Sequence, residues 1–92
     1  MRLDKFLQIS RIIKRRTVAN TICDRGHVRV NGQKAKAGKE LAVGDILSIT
    51  LGEQGTVEYE VLAVPSGNVP REKASTLYRI ISSSMGNPTN LS

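Results

Sequence analysis

Lys14-Arg15-Arg16-Thr17 is the densest concentration of chemically capable side chains in the sequence, and with Arg11 it puts four cations into six positions. The run stands directly before a stretch with helical spacing. Unpaired backbone N–H groups and the positive end of the macrodipole at such a helix start also favour phosphate, so the two attractions reinforce each other. Guanidinium groups take a phosphate bidentately or stack on a base, which suits Arg15 and Arg16 to nucleic-acid contact better than lysines. Without a ligand, the same run would be a solvated surface that aids solubility.

Other constellations fail as catalysts. Cys23 and His27 stand four apart, but the thiol falls in an apolar stripe, Gly26 is placed to end the helix before His27, and no third group orients the pair. Glu58 and Glu60, two apart on an alternating segment, read as acidic residues on a solvent face rather than as an acid–base pair. A single cysteine builds neither a disulfide nor a thiolate zinc site. The expectation is therefore a binding protein and not an enzyme, with no catalytic residue, no metal site and no cofactor.

Charge directs the choice of partner. The 92 residues carry 14 Lys and Arg against 8 Asp and Glu, a net charge of +6 and a pI near 10.0. Up to Lys39 the only acids are Asp4 and Asp24 against eleven basic residues, a net of +9; from Glu40 onward the balance is −3. One small domain with a basic half suits a polyanion on one face. Its size allows one core and no buried cleft between domains. Phe6, Tyr59 and Tyr78 are the only aromatic residues, too few for a platform that stacks successive bases. Shape-directed binding of structured RNA through phosphate and groove contacts is what remains. Duplex DNA stays open on physical grounds, although residues 18–25 offer only Asn20, Thr21, Asp24 and Arg25 to read bases. An acidic protein partner is a further alternative. No apolar stretch has the length of a membrane span or a secretion signal, so a cytoplasmic monomer without membrane contact is expected.

The elements that must position these residues follow from spacing. Leu3, Phe6 and Leu7 predict a helix over 3–9, and Ile9, Ile12 and Ile13 continue on a shifted face after a bend. Thr17 is the expected N-cap of a second helix over about 18–25, with Val18, Ala19, Ile22 and Cys23 as its stripe and Gly26 as its left-handed stop. His27-Val28-Arg29-Val30 alternates into Asn31-Gly32, the preferred type I′ pair, and back through Gln33 to Ala37. Ile46 to Leu51 and Val57 to Val64 predict two further strands of a small, mostly antiparallel sheet. Pro70 followed by Ala74, Leu77, Tyr78 and Ile81 predicts a short C-terminal helix packed on the sheet, whose Arg71, Lys73 and Arg79 could extend the RNA contact. The expected organisation is an RNA-binding domain over 1–64, a loop and helix packed on it over 65–81, and a flexible tail over 82–92.

Arg2-Leu3-Asp4-Lys5-Phe6-Leu7, Lys14-Arg15-Arg16-Thr17, Gly26-His27-Val28-Arg29-Val30-Asn31-Gly32 and Val43-Gly44-Asp45-Ile46 occur in an order and spacing that resembles the S-four (alpha-L) RNA-binding domain over about residues 1–51. The resemblance implies an α+β fold: two N-terminal helices packed on a small, mostly antiparallel sheet, here with the short C-terminal helix added. It also implies RNA binding without chemistry. A chain of this length that begins with the domain resembles the RqcP family of bacterial ribosome-associated quality control and its relative, the heat-shock-protein-fifteen family. Members of the latter carry a longer basic C-terminal extension, whereas this chain ends in a neutral tail, which favours the RqcP resemblance.

The resemblance implies binding to rRNA and tRNA on a large ribosomal subunit that still carries peptidyl-tRNA after stalling. There the protein supports C-terminal alanine tailing of the nascent chain, beside a tail-adding factor of the NEMF type. The family's arginines fall on Arg2 and Arg16, with Lys5, Arg11, Lys14 and Arg15 around them; Thr17, Lys34 and Lys36 complete the expected RNA-binding set. The alternative is a general structured-RNA binder in ribosome recycling, the heat-shock response or ribosome assembly.

Overall fold

The structure, a computed structural model, describes residues 1–52, 55–66 and 69–83. Helices α1 (Leu3–Ile9) and α2 (Arg16–Asp24) precede strands β1 (Val28–Val30), β2 (Gln33–Lys34), β3 (Ile46–Thr50) and β4 (Thr56–Val61). A 3-10 helix (Arg71–Leu77) then runs directly into β5 (Tyr78–Ser83). The five strands form one antiparallel sheet in the order β2-β1-β3-β4-β5. The chain is thus α+β, with two N-terminal helices, a small antiparallel sheet and a short C-terminal helical segment. No helix among the described residues is long and apolar enough to cross a membrane.

The core lies between the helices and one sheet face. Leu3, Phe6 and Leu7 of α1 and Ala19 and Cys23 of α2 pack with Val28, Val30, Leu47, Ile49 and Val61 of the sheet. Register explains the pattern: Val28 pairs with Ile49 and Val30 with Leu47, so alternate residues of adjacent strands point to the same side. Phe6 is fully buried, and a side chain of that size contributes about 1.5–3 kcal/mol when removed from water.

Two motif segments are architectural. Asn31 and Gly32 stand at φ +53° and +85°, the left-handed pair that a type I′ turn requires. The Asn31 amide oxygen accepts from the Ile46 backbone N–H and its Nδ2 donates to Asp45 at 3.1 Å. Asp45 in turn accepts from the Ala42 N–H at 2.9 Å. The Val-Asn-Gly and Gly-Asp turns therefore clamp one another at one end of the sheet.

Several boundaries differ from expectation, among them the end of β4, which falls at Val61 rather than Val64. Helix α2 begins at Arg16, with Arg15 as its N-cap and no side-chain cap, so Thr17 lies inside the first turn and is not the cap. Pairing of Arg16 with α1 sets this start in place of the local hydroxyl preference. Strand β2 ends at Lys34 rather than Ala37, because the following segment turns onto the start of α1: the N–H groups of Asp4 and Leu3 donate to the carbonyls of Ala37 and Lys39.

The helix expected through Ile81 stops at Leu77, and Tyr78 and Ile81 belong to β5. The edge of β4 presents unpaired backbone groups that β5 satisfies, and the Tyr59 and Tyr78 rings meet edge to face at 5.3 Å. Ser82 and Ser83, expected in the tail, pair in β5; the rest of that tail lies outside the described residues.

Candidate nucleic-acid interface

Asp4 organises the basic surface. It sits in the first turn of α1, flanked by Leu3 and Leu7 in the core, and is 2% exposed. A buried carboxylate must be paired, and this one accepts from Arg2 Nε at 3.2 Å and from Asn20 Nδ2 at 3.4 Å. Arg16 Nε approaches its other flank at 3.4 Å. Burial opposes the charge, but the hydrogen bonds from Arg2, Arg16 and Asn20 and the Arg16 charge outweigh it. They hold the Asp4 carboxyl below its ordinary value.

The consequence is geometric. The Arg2 and Arg16 side chains remain 51% and 45% exposed while one buried anion fixes an edge of each guanidinium. One acid against two cations leaves an excess positive charge, and each planar fork keeps donors facing solvent. Long basic side chains normally lose rotamer freedom on binding; here part of that loss has already occurred.

The expected site residues fall into groups. Arg16 and Thr17 line a shallow depression of about 480 Å³ with Asp4, Asn20 and Thr21. Arg2 leans over Gly38, where an added Cβ would stand 3.7 Å from its Cζ. Lys34 and Lys36 line a second depression, of about 210 Å³, with Arg25 and Gly26 at the end of α2. Lys5 and Arg11 line a third groove with Arg71. Lys14 and Arg15 are exposed in the connection before α2 and stand in none of these three depressions.

Asp4, Asn20 and Arg25 were absent from the expected RNA-binding set, and Arg71 stood only as an extension of the contact from the C-terminal helix. Asp4 left one signal in the sequence: an acid beside the apolar stripe of a strongly basic segment, where only a paired carboxylate is tolerated.

Cys23 is buried, and burial, with Asp4 and Asp24 nearby, pushes its thiol up to about 11. Gly26 at φ +80° separates it from His27 and ends α2, as expected. Glu60 pairs with Arg79 across β4 and β5, and Glu58 accepts from Ser48 at 3.0 Å. These acids brace the sheet.

A family model described as the S4 domain matches residues 1–47, the segment that holds both helices, the β1–β2 hairpin and the Asp4 cluster. The chain is an S4-domain protein. It is 49% identical over 80 residues to the RQC P-site tRNA stabilizing factor of Halalkalibacterium halodurans, covering 87% of this chain and 89% of that one. The Bacillus subtilis protein of the same name is 40% identical over 82 residues, covering 88% and 92%. Within the S4-domain proteins, this chain belongs to the family of RQC P-site tRNA stabilizing factors. Among solved structures, a trimeric structure of Vibrio cholerae heat shock protein 15 matches with a TM-score of 0.78 at 28% identity, covering 89% of this chain and 82% of that one. The heat shock protein 15 homolog of Haemophilus influenzae is 32% identical and covers 92% of this chain and 64% of its own length.

Proposed function

We propose that this chain is a non-catalytic RNA-binding factor of bacterial ribosome-associated quality control. The observation that carries the proposal is the pair of half-exposed guanidinium groups, Arg2 and Arg16, fixed by the buried carboxylate of Asp4. Preorganised forks of this kind match phosphate oxygens at a reduced ordering cost. The names of the close relatives, which specify a P-site tRNA, support the same direction.

In this account the protein acts as a cytoplasmic monomer on a stalled large subunit. Arg2, Arg16 and Thr17 contact rRNA and the peptidyl-tRNA, Lys5, Arg11, Lys14 and Arg15 surround them, and Lys34 and Lys36 add charge at the end of α2. The bound factor steadies the tRNA while a tail-adding factor of the NEMF type extends the nascent chain with alanine. It contributes binding energy and orientation, not bond chemistry.

The experiment is a stalling reporter in cells lacking this chain, complemented with wild type or with Arg2→Ala/Arg16→Ala. Restored alanine tails with wild type and absent tails with the double variant are expected. The 32% identity to a heat shock protein 15 homolog favours a second reading, structured-RNA binding in ribosome recycling or the heat-shock response. Tails that persist without the chain would select it.

A further inference from the structure

Helices α1 and α2 are each followed by a left-handed residue, with different residue types in that position. After α2, Gly26 takes φ +80°, its N–H donates to Cys23 and that of His27 donates to Ile22, the usual glycine stop. After α1, Ser10 is the C-cap and the next position, which favours glycine, is Arg11 at φ +63°. Its N–H donates to Gln8. Asn31 is the only other non-glycine residue at positive φ among the described residues, and asparagine tolerates that region where arginine does not.

The strained arginine gains no partner among the described residues. Arg11 is exposed, and among the described residues its guanidinium makes no hydrogen bond or ion pair. The same holds for the side-chain charges of Lys5 and Arg71. All three line one groove of about 300 Å³ whose other walls are Gln8, Ile9 and Val69, with no acid among them. Four of the six lining residues come from α1 and its end; Val69 and Arg71 come from beyond the segment that the S4-domain model matches.

From this juxtaposition we infer that Lys5, Arg11 and Arg71 form a second phosphodiester-binding groove, distinct from the Arg2–Asp4–Arg16 cluster. It takes the backbone of structured RNA: three cations meet successive phosphates, and the Gln8 amide is available to a ribose hydroxyl. A strained backbone at an unpartnered cation is expected where the strain serves a ligand. The inference rests on the RNA-binding reading proposed above.

The test titrates the full chain with labelled unfractionated bacterial tRNA and, separately, with purified large ribosomal subunits across a salt series. Wild type, Arg16→Gln, Arg11→Gly, Arg71→Gln, Arg11→Gly/Arg71→Gln and Lys73→Gln, the charge-matched control for each single groove variant, are compared, with thermal melts of each. Arg11→Gly should melt at the same or a higher temperature, because glycine relieves the conformation; a lower melting temperature would overturn the inference.

The groove double variant should lose about tenfold in affinity, and its salt slope should be shallower by about 1.5, while Lys73→Gln behaves as wild type. Loss on only one of the two RNAs supports the groove and identifies its source. A double variant that binds as wild type while Arg16→Gln is weakened overturns the groove alone. Equal loss in Arg71→Gln and Lys73→Gln overturns it in favour of net charge. A wild type that binds neither RNA brings down the groove together with the reading beneath it.

Discussion

Arg16 Nε lies 3.4 Å from Asp4 Oδ2, joining the first residue of one helix to the first turn of another across twelve positions of sequence. The contact sets three things at once. It starts α2 before its expected hydroxyl cap, compensates a carboxylate buried in the core, and holds a half-exposed guanidinium toward solvent.

Asp4→Asn keeps the shape and removes the anion. Two exposed arginines then lose their anchor, and their mutual repulsion is no longer screened. Stability should fall by about 1–2 kcal/mol in denaturant unfolding, discounted because both partners are half in water. RNA affinity should fall as well, although the substitution adds net positive charge. Tighter binding by Asp4→Asn would show that bulk charge, and not the held geometry, decides affinity.

Arg16→Ala acts mostly on the ligand. Arg2 and Asn20 still satisfy Asp4, so stability should drop by only about 0.5–1 kcal/mol. Binding of structured RNA should weaken by roughly 1–3 kcal/mol. Calorimetric unfolding and fluorescence titration of one preparation separate the two, and unchanged affinity would remove Arg16 from the interface.

Acid should unfold the protein through Asp4. Its folded pKa is depressed below the ordinary 3.8, so its contribution is complete above that value and lost as pH falls through the lower folded one. Wild type and Asp4→Asn should therefore converge in stability at strongly acidic pH. A constant difference between them across the acid range would contradict this assignment.

Cys23 titrates with the opposite sign. Its folded pKa is raised from 9.0 to about 11, so its contribution is intact below 9 and is lost as pH rises through the folded value. At pH 8 the native thiol should react with an aromatic disulfide only as fast as the chain opens, and denaturant should accelerate it. Immediate labelling of native protein would mean that the α2 stripe does not bury the sulfur.

Much of this molecule was legible in the sequence because its signals are local. Gly26, Asn31 and Gly32 each require a backbone conformation few other residues adopt, and each stands where the turn was expected. The α1 stripe of Leu3, Phe6 and Leu7 is fully buried. What was not legible depends on pairing over distance. Leu77, Tyr78 and Ile81 fit a helical period, yet the free edge of β4 draws Tyr78–Ser83 into a strand. The same holds for the site: the basic run is plain in the sequence, but Asp4 joins Arg2, Arg16 and Asn20 only once α2 has packed on α1.

Sedimentation of tagged protein from gently lysed cells tests the central claim most directly, comparing wild type with Arg2→Ala/Arg16→Ala and probing each fraction for peptidyl-tRNA. Wild type should travel with large subunits that carry peptidyl-tRNA, and the double variant should stay at the top of the gradient, although both remain folded. Equal recovery of the two proteins with those subunits, or recovery of wild type only with free RNA, would contradict that claim.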